Sequence, residues 1–411
     1  MKLIAIFLLV GSAQAFAQQD DAYTRYELLD PASQSFRILY DVTATEAGST
    51  FYYNTLRKGS DHKVDGVTDM MTGKPLEWTI ESGVNAKKAG YASAAVDVDY
   101  LKVKLARPII AGNEYRLKID KTYKDPKSYF TKDDKIVFDR SLGVKRNAVI
   151  LPRGYELVKC NYPSQVIMES DGRVKISFLN IGSSEVPLHV EGRKLSTSVN
   201  LTVVNEKPAP STVGQGRDKS KARVDFAFAE KANQTREIVY FLQQPETHSF
   251  RLYHDYTETR EGMDRYLNVV RPGSKASNPS AKNLDTGKEL KVETLKGEAI
   301  TQKGLDIGEP VTAETEVVVI WYDPVQKGQS VRLRIEETYA DPNRYILYKD
   351  ELVFDRSFGR AFNTVILPEG GFLTANAIPA TVDLTADGKI SLYYVGTSPE
   401  EIDVWIKGRR K

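Results

Sequence analysis

The chain is poor in the residues that most often carry metal or redox chemistry: one cysteine and four histidines in 411 residues. A single thiol cannot close an intramolecular disulfide, so the core rather than covalent staples must hold the fold. It also excludes thiolate zinc clusters. Cys160 is expected to be a small, semi-buried side chain and not a nucleophile. His62, His189, His248 and His254 form no His-Glu-x-x-His pair or other ligand spacing, so no metal site is expected. His248 and His254 are expected on one face of a strand, far apart along it. An excess of either charge is missing as well. Lys+Arg is 57 against Asp+Glu 55, a net charge of +2, which leaves no electrostatic footprint for nucleic acid. Nucleophile elbow, phosphate-binding glycine loop and EF-hand are all absent, so no catalytic residue and no cofactor can be named.

Long apolar runs are also lacking. The longest, Leu3 to Val10, is too short to span a hydrocarbon core of about 30 Å. It follows Met1-Lys2 and precedes the small residues Ala13, Ala15 and Ala17, the pattern of a signal peptide over residues 1–17. The mature chain is therefore expected to be exported, to the periplasm or outside the cell, with no transmembrane segment.

What is present is a chain that contains itself twice. Ser35-Phe36-Arg37 recurs as Ser249-Phe250-Arg251, and the same offset of 214 carries Asp41 onto Asp255 and Asn54 onto Asn268. After a two-residue insertion the offset is 216. Thr122 to Gly154 then matches Thr338 to Gly370 without a gap, with 18 identities in 33 positions. Units of this length are domains rather than solenoid repeats. The expected organisation is a first repeat over 26–205, a polar linker over 206–236 and a second repeat over 237–411. Within the linker, Arg223 to Phe228 alternates like a strand fragment.

Each repeat reads as β. Tyr115-Arg116-Leu117-Lys118-Ile119-Asp120 places apolar residues on one face and charges on the other, as a half-buried strand requires. Val331 to Glu336 repeats the pattern with different residues. Asp171-Gly172 and Asp387-Gly388 sit between such runs as tight hairpin turns would. The fold class expected is all-β, two tandem similar antiparallel β-sandwich-like domains.

The most specific duplicated motif is Phe138-Asp139-Arg140-Ser141, matched by Phe354-Asp355-Arg356-Ser357. Arg140 and Arg356 could clamp a carboxylate or phosphate of a ligand. They could equally pin two loops through Asp125 or Asp341, with Asp139 and Asp355 capping backbone groups. Neighbouring Asp and Arg on a strand point to opposite faces, which favours the structural role. Among the 22 tyrosines, Tyr345 and Tyr348 follow an Asp-Pro turn and are expected to form a binding surface.

Pro108 to Ile119, ending in Thr122-Tyr123, resembles part of the N-terminal β-domain of M1-type aminopeptidases, and Pro324 to Tyr339 does so in the second copy. The resemblance implies a duplicated accessory β-domain without the protease, since His-Glu-x-x-His does not occur. The function expected is a non-catalytic exported protein that binds a protein, a peptide or an envelope glycan. The alternatives are a carboxylate-dependent hydrolase with its site at the inter-domain cleft, and a structural envelope component.

Overall fold

The computed structural model describes residues 22–58, 61–203, 237–397 and 401–411. The signal peptide expected over 1–17, the linker over 206–236 and the fragment Arg223 to Phe228 lie outside them. The first half runs through β1 (Tyr23–Leu28), β2 (Ser35–Ala44), β3 (Phe51–Thr55), β4 (Asp61–Asp69), β5 (Trp78–Ser82), helix α1 (Gly83–Lys88), β6 (Asp99–Lys104), β7 (Tyr115–Lys124), β8 (Tyr129–Lys132), β9 (Lys135–Leu142), β10 (Arg146–Ile150), β11 (Tyr155–Met168), β12 (Val174–Leu179) and β13 (Val186–Lys194). The second half continues with β14 (Glu237–Leu242), β15 (Ser249–Glu258), β16 (Arg265–Val269), β17 (Lys275–Asn283), β18 (Lys291–Lys296), α2 (Glu298–Gln302), β19 (Glu316–Trp321), β20 (Val331–Ala340), β21 (Tyr345–Tyr348), β22 (Glu351–Phe358), β23 (Phe362–Ile366), β24 (Gly371–Leu384), β25 (Ile390–Val395) and β26 (Ile402–Arg410).

The chain is mostly β, as the period-two patterns require. In β7 burial alternates from Tyr115 to Tyr123, with the charged residues Arg116, Lys118 and Asp120 turned the other way. Among the described residues twenty strands join one large sheet, and two small sheets of three strands carry the order β3-β6-β5 and β16-β19-β18. The pairings of β1 with β10 and of β14 with β23 are parallel, so the large sheet is mixed rather than purely antiparallel. The period of a strand is the same in either sense, so alternation alone could not distinguish them. The hairpins at Asp171-Gly172 and Asp387-Gly388 join β11 to β12 and β24 to β25. Both glycines hold φ near +80°, a conformation that a side chain disfavours.

In each half the large sheet curls until β9 or β22 packs across the core from β2 or β15. Phe138 meets Phe36 edge-to-face at 5.4 Å, and Phe354 meets Phe250 in the same way at 5.6 Å. The small sheet covers the inner face of β7 or β20 and is covered in turn by the short helix and its loop. Ala86 of α1 and Ile300 of α2 are both completely buried.

The halves meet through equivalent strands. β11 and β24 pair antiparallel: Cys160 lies opposite Val382, Val166 opposite Asn376, and Ser164 opposite Ala380. The sequence offset makes Asn376 the counterpart of Cys160 and Val382 that of Val166. The pairing is therefore self-complementary, as an isologous interface is. A bulge accompanies it at Pro163 and Pro379, which donate no ladder hydrogen bond. Gln165 donates across the seam to the Ala377 carbonyl at 2.7 Å. One hydrophobic core runs through both halves and contains Cys160, which is fully buried with its thiol pKa raised by burial.

Candidate functional site

The duplicated motif lands at an inner corner. Arg140 shares the inner face of β9 with Phe138, while Asp139 faces outward. The Arg140 side chain is 11% exposed and donates to Asp125 Oδ2 at 3.2 Å. Asp125 also accepts from the Ser128 hydroxyl at 2.8 Å, and Arg57 reaches Ser128 at 3.2 Å. Turn β7–β8 is thus tied to β9 and to the end of the small sheet. In the second half Arg356 faces Asp341 at 3.5 Å, with its guanidinium over Phe250, Tyr240 and Tyr339.

Asp139 accepts from His189 on β13 at 2.9 Å, with His189 also 3.1 Å from Glu191. Burial opposes protonation of His189, but the two carboxylates outweigh it and raise its pKa above the ordinary value. Asp355 lies opposite Trp405 instead, the counterpart of His189. Of the tyrosine pair expected to form a surface, Tyr345 is fully buried and donates to the Gln243 carbonyl at 2.5 Å. Of the two only Tyr348 reaches the surface, while Tyr345 packs edge-to-face on Phe354 of β22 at 6.0 Å. His248 does not share a strand face with His254. It ends a short 3-10 turn at φ 53° and contacts the Tyr345 carbonyl, ahead of β15.

Sequence reasoning missed the buried charges between the sheets. On the inner face of β7 sits Lys121, 6% exposed, which donates to Asn54 Oδ1 at 2.6 Å. Its counterpart on β20 is Glu337, 2% exposed, which accepts from Asn268 Nδ2 at 2.6 Å. The same asparagine thus presents its oxygen to a cation in one half and its nitrogen to a carboxyl in the other. Burial, assisted by Arg140, lowers the Lys121 pKa to about 7, and burial raises that of Glu337 to about 7. The signal was present in the sequence: Lys121 interrupts the apolar face Tyr115, Leu117, Ile119, Tyr123, and Glu337 interrupts Leu333, Ile335, Tyr339.

A second inversion lies between β9 and β13. Lys135 pairs with Glu191 at 2.7 Å, while at the equivalent positions Glu351 pairs with Lys407.

Polar side chains found in only one half converge in the second. His254, Tyr256 and Glu258 occupy the inner face of β15 where Tyr40, Val42 and Ala44 stand on β2. Arg360, in place of Val144, donates to His254 at 3.2 Å and to Tyr266 at 3.3 Å. Tyr256 donates to Glu258 at 2.7 Å, and Arg260 helps hold that carboxyl down at a pKa of about 2 against the effect of its burial. Such a set can bind and orient polar groups and can hold a proton near neutrality at Glu337. Among the described residues no group of three or more His, Cys, Asp or Glu is arranged to hold a metal ion. Two open clefts lie each within one half, one by Asp255 and Arg332, the other by Arg107 and Ile110, neither at the seam.

No family model matches the chain, and no curated protein matches it. Among solved structures, part of the chain is similar to an M1 zinc metallopeptidase from Deinococcus radiodurans, at 12% identity and a TM-score of 0.28. The match covers 42% of this chain and 41% of the peptidase. A variant of that enzyme bound to a Tyr-Ser-Ala substrate matches with the same coverage and score. The chain therefore resembles an M1 zinc metallopeptidase in structure over less than half of either protein.

Proposed function

We propose that the chain is an exported, non-catalytic protein of two tandem, similar β-sandwich-like domains that binds a protein, a peptide or an envelope glycan. The observation that carries this reading is the self-complementary seam. Two domains paired through β11 and β24 present equivalent faces at a fixed separation, and rigid bivalency strengthens binding without adding a contact. The leader-like N-terminus supports export. A carboxylate-dependent hydrolase at the junction has less support, because the seam carboxylate Glu156 is engaged by Arg193 at 2.7 Å and by Lys411 at 2.8 Å.

The test is thermal unfolding of the mature chain against envelope glycan fragments, peptides and divalent metals, with product analysis of each mixture. A ligand at a hundred times its dissociation constant adds about 2.7 kcal/mol, a rise in Tm of roughly 5–10 °C for domains of this size. A shift with the ligand recovered intact supports the reading. Conversion of the ligand would replace it with the hydrolase, and concentration-dependent self-association without any shift would replace it with a structural envelope component.

A further inference from the structure

The corner around Asp341 differs from its twin around Asp125 in one respect that changes its chemistry. In the first half Arg57 has an acceptor in the Ser128 hydroxyl at 3.2 Å and lies 3.5 Å from Asp125. In the second half the counterpart of Ser128 is Arg344, so a hydroxyl acceptor is exchanged for a cation. Arg271, the counterpart of Arg57, is half-buried, and its Nη1 is shielded from solvent with no hydrogen-bond partner among the described residues. Buried guanidinium groups are ordinarily satisfied, because an unmade bond to a charged donor costs more than one to a neutral donor. Two further guanidinium groups, Arg356 and Arg344, stand close enough to repel it, with Asp341 and Glu401 as the nearby counter-charges. Burial and those two cations lower the Arg271 pKa from its ordinary value, and an incoming anion would reverse that.

We propose that Arg271 and Arg344, backed by Arg356, form an anion site in the second half that takes a carboxylate or phosphate group. Planar guanidinium forks recognise both groups bidentately. Arg356 is held against Phe250 and Tyr339 and is thereby pre-positioned, while Asp341 keeps the cations from dispersing. The first half, with Ser128 closing the same corner, has no such site. The inference rests on the binding-protein reading and names the chemistry of the group that the second half would take.

The experiment is calorimetric titration of the full mature chain at low ionic strength with inorganic phosphate and, separately, with succinate. Saturable binding of one equivalent is expected, and the stronger probe identifies which anion the site is shaped for. Arg271→Ala should weaken it at least tenfold, and Arg344→Ser, which installs the first-half residue, should do the same. Arg57→Ala should leave it unchanged. Circular dichroism of each variant separates loss of binding from loss of fold. Arg344→Ser introduces a residue that the first half already accommodates at this corner, so it serves if Arg271→Ala fails to fold. Absence of saturable binding by either probe, or binding indifferent to both second-half variants, would overturn the site. A chain that ignores both anions yet is stabilised by a glycan or peptide loses this site and keeps the proposed function.

Discussion

The two halves of the molecule share a strand order, a curled sheet and a phenylalanine–arginine corner with the same buried charges, yet they reverse the sign of charge at two other places. Lys121 on Asn54 becomes Glu337 on Asn268, and Lys135 with Glu191 becomes Glu351 with Lys407. What is kept at these points is a polar pairing, not a particular sign. An asparagine can pair with either sign by turning its amide. The corners at Asp125 and Asp341 teach the complementary lesson. There the partners did not invert together, and Arg271 lost its hydroxyl acceptor.

The sharpest way to break the comparison is through pH. Lys121 is lowered from 10.5 to about 7 in the folded chain, so between those values the unfolded state binds the extra proton and stability rises with pH. Glu337 is raised from 4.5 to about 7, so over that window the folded state binds the extra proton and stability falls as pH rises. The two slopes meet near neutrality and oppose each other. Denaturant unfolding followed across pH should show Lys121→Met abolishing an alkaline gain of about 5 kcal/mol. In the same series Glu337→Gln should abolish an acid-side change of about 3 kcal/mol. Equal slopes in variant and parent would show that these groups titrate as in the unfolded chain.

The shared corner should break evenly. Phe138→Ala and Phe354→Ala each remove a fully buried ring from one continuous core, and each should cost about 3–5 kcal/mol in the same unfolding measurement. A marked inequality would mean that one half carries the core and the other leans on it. The smallest effect belongs to His189. Its raised pKa contributes stability below its ordinary value of 6.5, and that contribution is lost as pH rises through the folded value. His189→Trp, which installs the second-half residue, should remove that dependence at a cost of less than about 1 kcal/mol, and an NMR titration of the ring would read it directly.

Much of the architecture was legible because strand chemistry is local. The alternation in Tyr115 to Asp120 and Val331 to Glu336 yields the buried faces of β7 and β20, and the Asp-Gly pairs yield the hairpins β11–β12 and β24–β25. The opposite orientation of Asp139 and Arg140 follows from the same pleat. The candidate site was less legible. Lys121 and Glu337 went unread although they interrupt apolar faces, and their partners Asn54 and Asn268 come from strands tens of residues away.

By itself the sequence determined the β class and the faces of the strands, because each depends on neighbours one or two residues away, and the correspondence between the halves, because it is read by setting one stretch of sequence against another. The tertiary structure alone decided that β1 with β10 and β14 with β23 pair parallel, that β11 and β24 join the halves, that Tyr345 turns inward, and that Arg271 lies near enough to Arg344 and Arg356 to be repelled by them. Those outcomes depend on which distant segments are brought together, and a period of two in a strand carries no information about its partner.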